Sequence, residues 1–187
     1  MTDQGAEGLL SPYLRRKRIE AVAPWLNGRV LDFGCGTGLL AELLCTEKYV
    51  GVERDKISLQ LAKSKFPQHY FISTLPSTVE KFDTVVALAV IEHVREPVRL
   101  LFMLAAFLGG SGSSRLVITT PHPSVDWIHR LGATFGVFSS HARDEHEGLL
   151  GRVRLIDIGI QAGLKLKSYS RFLFGANQIV IYSKKTA

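Results

Sequence analysis

The stretch that decides the fold runs Val30-Leu31-Asp32-Phe33-Gly34-Cys35-Gly36-Thr37-Gly38. It predicts a short apolar strand that carries an acid, then three glycines at alternate positions, then a helix over 39–45. Glycine lacks a Cβ, which lets the backbone turn tightly and approach a ligand closely. The segment therefore predicts a ligand site at a strand-to-helix turn.

Two acids indicate what kind of ligand this is. Glu53 ends the next predicted strand, 49–53, and lies 21 residues beyond Asp32. An acid about 20 residues past such glycines binds a ribose diol in nucleotide sites. The spacing G-x-G-x-G differs from the G-x-G-x-x-G that holds pyrophosphate on a helix N-terminus. A carboxylate at Asp32 repels phosphate, so we expect a ligand that carries positive charge, such as an amino group.

Apolar runs alternate with helical patterns along the rest of the chain. Helices are predicted over 11–26, 55–66, 97–108 and 150–162, and further strands over 69–72, 82–88, 116–120, 164–173 and 178–182. Apolar strands that alternate with helices are typical of a parallel sheet covered on both faces. The last two strands flank Gly175-Ala176-Asn177 and predict an antiparallel hairpin.

Length and composition indicate one domain. The chain has 187 residues, of which 46% are hydrophobic and 21% charged, so we expect a single domain over 1–187. Within it we expect an N-terminal cap helix in 1–27. The two cysteines are too few for a disulfide framework, and no apolar stretch approaches the roughly 18 residues of a membrane span. These features predict a soluble, cytoplasmic protein without a membrane partner.

The net charge of +6 and a pI near 9.5 keep a nucleic-acid partner open. We do not favour such a partner, because the basic residues are spread out apart from Arg15-Arg16-Lys17-Arg18. We expect that run to be largely a solvated helix face. The oligomeric state is not indicated by the sequence.

An irregular segment, 121–149, follows the fifth predicted strand. It holds four of the six histidines, His122, His129, His141 and His146. An insertion after a strand of a parallel sheet falls at the carboxyl end of the strands, where ligands bind in such folds. We therefore expect 121–149 to lie on the substrate side. The histidine spacing fits no standard zinc pattern, so no metal site is predicted.

The strand, acid and glycine loop resemble the first motif of class I S-adenosylmethionine-dependent methyltransferases. Residues 82–94, Phe82-Asp83-Thr84-Val85-Val86-Ala87-Leu88-Ala89-Val90-Ile91-Glu92-His93-Val94, resemble that family's fourth-strand motif in its small-molecule, type 11-like branch. The resemblance covers nearly the whole chain. It implies a Rossmann-like, doubly wound α/β fold with a seven-stranded, mostly parallel sheet whose last strand is antiparallel. It also implies S-adenosylmethionine as the cofactor.

The same resemblance implies cofactor-binding roles in the glycine loop, the loops after the second and third strands, the fourth strand and the N-terminal helix. The residues are Asp32, Gly34, Cys35, Gly36, Gly38, Glu53, Arg54, Ser73, Thr74, Leu88, Ala89, His93, Tyr13 and Arg15. Two positions depart from the family's pattern. Ser73-Thr74 stand where relatives often carry an adenine-binding Asp. Ala89 stands where metal-assisted relatives carry an acid, so a complete metal cage is not expected.

Methyl transfer is an in-line displacement that depends on positioning and sometimes on a base. Histidine is the natural base at neutral pH, which makes His93, His122 and His129 the candidates. Taken singly, each of them is more often structural or solvent-facing. His122 ranks first because it lies between two prolines directly after the fifth predicted strand. The function predicted is methylation of a small molecule. The alternatives are an RNA or protein methyltransferase, or a catalytically inactive cofactor-binding partner subunit.

Overall fold

Seven strands form one mixed sheet at the centre of the protein. The computed structural model describes residues 11–77, 79–125 and 149–185. The strands are β1 (Val30–Phe33), β2 (Tyr49–Val52), β3 (Tyr70–Ile72), β4 (Thr84–Leu88), β5 (Arg115–Pro121), β6 (Leu164–Phe172) and β7 (Asn177–Lys184). The helices are α1 (Ser11–Val22), α2 (Lys56–Lys65), α3 (Pro97–Ala105) and α4 (Arg152–Gln161).

The order of the strands across the sheet is β3-β2-β1-β4-β5-β7-β6. Strands β1 to β5 pair in parallel, whereas β7 runs antiparallel to both β5 and β6. This confirms the predicted α/β class with an antiparallel last strand. The order reverses at β1 and β4, and such a switch point is where ligands bind in open α/β sheets.

Helices cover both faces of the sheet. Side chains of α3 and α4, such as Leu101 and Ile158, pack with Val85 and Tyr182 on one face. Side chains of α1 and α2 pack with the opposite face, where Val86 is fully buried. Both faces of the central strands are therefore apolar, which explains the continuous apolar runs in the sequence.

Two predicted helices differ from the structure. In place of the predicted helix 39–45 the structure has a 3₁₀ turn, Leu39–Leu43. A second 3₁₀ turn, Thr46–Lys48, follows it. Leu44 is already extended, with a φ of −129°, because the chain must enter β2 five residues later. The predicted helix 11–26 ends at Val22 and continues as a 3₁₀ turn, Ala23–Trp25, since Pro24 lacks the amide hydrogen that an α-helix needs.

Among residues 11–77, 79–125 and 149–185, every helix is too short or too polar to span a lipid bilayer. Much of the predicted insertion, including His129, lies outside the described residues, as do residues 1–10 of the predicted cap helix. The assignment of 1–187 to a single domain stays a prediction.

Candidate active site

A cavity of about 500 Å³ opens at the carboxyl ends of β1 and β4. That volume is in the range of small-molecule and cofactor sites. Helix α1, the glycine loop, the start of α2 and the segment after β4 all contribute to its wall. The lining residues are Arg15, Arg18, Ile19, Asp32, Gly34, Cys35, Gly36, Thr37, Leu39, Leu40, Ser58, Leu88, Ala89 and His93.

The glycine loop has a backbone that few other residues adopt. Gly34, Gly36 and Gly38 have φ values of 75°, 54° and 77°, in the left-handed region. A Cβ at Gly34 would lie 2.7 Å from Cγ2 of Val90, whereas one at Gly36 would meet nothing within 4 Å. Gly34 therefore permits close packing against the chain after β4. Gly36 leaves open space at the cavity.

Asp32 is the buried acid of the cavity, with 2% of its surface exposed. The Tyr49 hydroxyl donates a hydrogen bond to Asp32 Oδ2 at 2.8 Å. Burial raises the pKa of Asp32 to about 7, and the Tyr49 hydrogen bond opposes that rise while the charge of Glu53 adds to it. Asp32 therefore changes its charge near neutral pH.

Glu53 connects the glycine loop to the start of α2. Its Oε2 accepts a hydrogen bond from the Gly36 amide at 2.9 Å, and its Oε1 accepts one from the Asp55 amide at 2.8 Å. Asp55 in turn caps α2 by accepting from the Ser58 amide at 2.8 Å. Glu53 thus fixes the loop that borders the cavity, although it is not among the lining residues. A carboxylate oxygen has two acceptor sites, so both oxygens retain capacity for a ligand.

Two arginines of α1 reach the cavity. Arg15 and Arg18 are half-buried and line it. Burial lowers the pKa of both guanidinium groups, and Glu92 opposes that effect at Arg18. Arg18 Nε donates to Asn177 Oδ1 at 3.3 Å, which ties α1 to β7. The prediction of a solvated Arg18 is therefore wrong, because residue 18 lies on the same helix face as residue 15.

The segment after β4 brings three predicted residues to the cavity, Leu88, Ala89 and His93. Ala89 has a φ of 55°, an uncommon value for a residue with a Cβ. Its amide donates to the Thr119 carbonyl at 2.9 Å, which holds this turn against β5. His93 ends a 3₁₀ turn, Ile91–His93.

Cys35 also lines the cavity and is one of two free thiols. Burial raises the pKa of the Cys35 thiol, and the nearby charges of Asp32 and Glu53 raise it further. Cys45 is exposed.

Several predicted cofactor residues do not line the cavity. Tyr13 is 49% exposed on α1, and Arg54, Ser73 and Thr74 are exposed in the loops after β2 and β3. Gly38 faces the Phe71 ring, where an added Cβ would approach to 2.8 Å. The cofactor roles of these five residues, like the roles of those that do line the cavity, stay predictions.

His122 lies just beyond β5 in a hydrogen-bonded cluster. Its Nδ1 accepts from the Ser124 amide at 3.0 Å and lies 2.8 Å from the Ser124 hydroxyl. An Arg171 guanidinium nitrogen donates to that hydroxyl at 2.8 Å. An amide only donates, so Nδ1 is unprotonated and the neutral ring carries its proton on Nε2. Burial and the charge of Arg171 lower the pKa of His122, which favours this neutral ring.

Six of the lining residues were not predicted from the sequence. Arg18 and Ile19 share the helix face of Arg15, a signal that helical spacing contains. The others are Thr37, Leu39, Leu40 and Ser58. They lie directly beside the glycine loop or in the first turn of α2. No group of three or more His, Cys, Asp or Glu in the described ranges is placed to hold a metal ion.

Known proteins resemble this chain in sequence and in fold. The model of a family described as a methyltransferase domain matches residues 9–169. A ubiquinone biosynthesis O-methyltransferase of Coxiella burnetii is 30% identical over 114 residues, which are 56% of this chain and 48% of the relative. The protein of the same name from Alkalilimnicola ehrlichii is 31% identical over 133 residues, 63% of this chain and 54% of the relative. The chain thus spans about half the length of the curated relatives it matches.

A solved structure extends the likeness to nearly the whole fold. Magnesium protoporphyrin IX methyltransferase from Synechocystis PCC 6803, with bound SAH, has a TM-score of 0.69 and 19% sequence identity, and covers 97% of this chain and 90% of its own. At that identity the match shows the fold alone. With the family model matching most of the sequence, the resemblance predicted from the glycine loop is confirmed, and the chain belongs to the methyltransferase domain family of class I S-adenosylmethionine-dependent methyltransferases.

Proposed function

We propose that this protein transfers a methyl group from S-adenosylmethionine to a hydroxyl oxygen of a small molecule. One observation carries the cofactor part of the proposal. The cavity gathers the buried acid Asp32, the open glycine Gly36 and the two arginines of α1. The amino-acid end of S-adenosylmethionine carries an ammonium and a carboxylate, so an acid and a guanidinium in one cavity fit both of its charges.

The chain's own residues would hold that cofactor in defined roles. Asp32 would attract the ammonium group, and Arg15 with Arg18 would attract the carboxylate. Glu53 would accept hydrogen bonds from the ribose hydroxyls while it fixes the Gly36 amide. Leu88 and Ala89 supply the apolar wall. When bound, S-adenosylmethionine supplies an electrophilic methyl group.

Cofactor affinity is expected to depend on pH through Asp32. Because the pKa of Asp32 in the free protein is raised to about 7, the carboxyl is neutral below that pH and attracts a cation only above it. Affinity for S-adenosylmethionine should rise roughly five- to tenfold from about pH 6 to about pH 7.5. Titration calorimetry across this range measures the profile. An Asp32→Asn variant should show a flat profile, and an equally steep one in the variant would contradict the assignment.

The free energy of unfolding of the ligand-free protein should fall as the pH rises, which is opposite to the change in cofactor affinity. Folding favours the neutral form of Asp32, so this group stabilises the fold fully below about pH 4, the pKa of an aspartate in the unfolded chain. That contribution is lost progressively as the pH rises through about 7, the pKa in the folded chain.

A hydroxyl-bearing small molecule as methyl acceptor is supported by the curated relatives, which are named ubiquinone biosynthesis O-methyltransferases.

Both cysteines are free thiols, which supports a reducing compartment such as the cytoplasm as the place of this activity.

His122 would position the acceptor. With Nδ1 occupied by Ser124, the ring presents Nε2–H, which donates a hydrogen bond to an acceptor oxygen and does not remove its proton. The role of a base, predicted from the sequence, requires the other tautomer, and that tautomer would place the Nδ1 proton against the Ser124 amide hydrogen.

His122→Ala is expected to lower kcat about 10- to 100-fold and to leave the affinity for S-adenosylmethionine within about twofold. His122→Gln separates the two roles, because its side-chain amide N–H occupies a place similar to that of Nε2–H. Activity retained in His122→Gln supports donation. If both variants lose turnover equally, the base role is favoured, and unchanged turnover in His122→Ala would remove the residue from the mechanism.

The proposal as a whole is tested by methyl transfer. The protein is incubated with S-adenosylmethionine labelled in the methyl group and a panel of phenols and catechols, with an RNA pool and a protein extract in parallel. We expect label in the small-molecule fraction and an equal amount of S-adenosylhomocysteine. Label in RNA or protein alone would overturn the acceptor assignment. Cofactor binding without transfer to any pool would indicate an inactive partner subunit.

A further inference from the structure

A second cavity, of about 330 Å³, lies at the other end of the strands from the cofactor cavity. The loop 109–114 precedes β5 there, and β6 begins and β7 ends beside it. These are the amino ends of the parallel strands. None of the residues that line this cavity lines the first one.

Four lysines concentrate positive charge in this second cavity: Lys165, Lys167, Lys184 and Lys185. Within the described ranges, three of these lysines form no ion pair with a carboxylate: Lys165, Lys167 and Lys185. Lys184 Nζ donates to the Leu108 carbonyl at 2.8 Å. Burial lowers the pKa of Lys184, and the nearby charge of Lys81 lowers it further. Like charges held together without compensation destabilise the folded chain, and a bound anion would relieve that repulsion.

The loop side of the cavity adds hydroxyl donors and open backbone. Ser111 and Ser114 line it, with their Oγ atoms 2.8 Å apart, and Ser183 lines it from β7. A Cβ built at Gly110 or Gly112 would meet nothing within 4 Å, so a ligand can approach the backbone at both positions. Ammonium groups and hydroxyls are donors that suit a phosphate oxygen.

We propose that this lysine cavity binds a small molecule that carries a diphosphate group. The terminal phosphate of a diphosphate carries about −1.5 to −2 charges near pH 7 and the bridged phosphate about −1, so together they offset most of the charge of four lysines. A cavity of about 330 Å³ suits a compact ligand, whereas a nucleic-acid duplex requires an extended surface. The inference does not depend on the proposed methyl transfer, because the two cavities share no residue.

Inorganic pyrophosphate is the probe that tests this site. Titration calorimetry of the full chain at about 0.15 M salt, where screening limits unspecific attraction, should give saturable binding to one site. The double variant Lys165→Gln/Lys167→Gln should lower that affinity about tenfold or more. It should leave the affinity for S-adenosylmethionine unchanged, which separates this site from the cofactor cavity.

The matched control is Lys48→Gln/Lys63→Gln, which removes the same charge at two exposed positions. It should change pyrophosphate affinity less than about twofold. Equal losses in both double variants, or no saturable binding of pyrophosphate, would overturn the proposal. ADP distinguishes a nucleotide source from free diphosphate, and either one bound through Lys165 and Lys167 supports it. Single-stranded RNA that binds more tightly than both through the same lysines would replace it with an extended nucleic-acid surface.

Discussion

Replacing Asp32 with alanine lowers the affinity for S-adenosylmethionine about 100-fold, the expected result for a charged acceptor lost from a buried site. Asp32 is 2% exposed and borders the cavity, so bulk water does not replace it as an acceptor. The substitution also removes the partner of the Tyr49 hydroxyl. The affinity is measured by titration calorimetry near pH 8, where the wild-type carboxyl is ionised.

Asp32→Asn separates charge from packing, because the amide keeps the volume and an oxygen for Tyr49. If charge attracts the cofactor, the asparagine variant loses most of the affinity that the alanine variant loses, and its melting temperature stays closer to wild type. Wild-type affinity in Asp32→Asn would show that the charge of Asp32 has no role in cofactor binding. Tyr49→Phe should move the midpoint of the pH profile upward, because the Tyr49 hydrogen bond lowers the pKa of Asp32.

Gly38→Ala is expected to destabilise the fold by roughly 2–5 kcal/mol. The left-handed backbone at Gly38, with a φ of 77°, costs a residue with a Cβ about 1–2 kcal/mol. The added methyl would also meet the Phe71 ring at 2.8 Å and the Ala62 Cβ at 3.3 Å, and such overpacking costs about 1–3 kcal/mol more. The melting temperature should fall by roughly 5–15 °C, as followed by circular dichroism.

Gly36→Ala is the matched control. Its φ of 54° has the same sign, but its Cβ would meet nothing within 4 Å, so only the backbone penalty of about 1–2 kcal/mol remains. Its methyl group projects into space at the cavity, and cofactor affinity should fall although the fold is largely kept. Equal melting temperatures for the two variants would show that contact with Phe71 does not limit the size of residue 38.

The fold was predictable because its strands are buried on both faces. Val85 and Val86 point to opposite layers of helices and are both fully buried. A strand with both faces buried has a continuous apolar run, and such runs alternating with helices are typical of a parallel sheet. The glycine loop was predictable for a different reason. Its three positive φ values favour glycines at fixed spacing, and that spacing can be read directly from the sequence.

Other features depend on contacts between residues distant in sequence. Nothing near Asp32 indicates that a tyrosine 17 residues away donates to it, and burial by the whole fold sets its pKa. Arg18 was predicted to be solvated because its neighbours are basic, but its side chain donates a hydrogen bond to Asn177 on β7. In place of the helix predicted over 39–45 the structure has 3₁₀ turns, with Leu44 extended between them. Apolar spacing over so few residues does not distinguish a 3₁₀ turn from an α-helix.

The contrast between the two thiols makes the wild-type chain suitable for selective labelling. Thiolate, not thiol, reacts with a maleimide. Cys35 is half-buried and the pKa of its thiol is raised, so it stays protonated at neutral pH, whereas Cys45 is exposed. A fluorescent maleimide should therefore attach at Cys45, just before β2, without any engineered cysteine. Fluorescence from that one site would then follow unfolding at the amino end of β2 in the unmodified sequence.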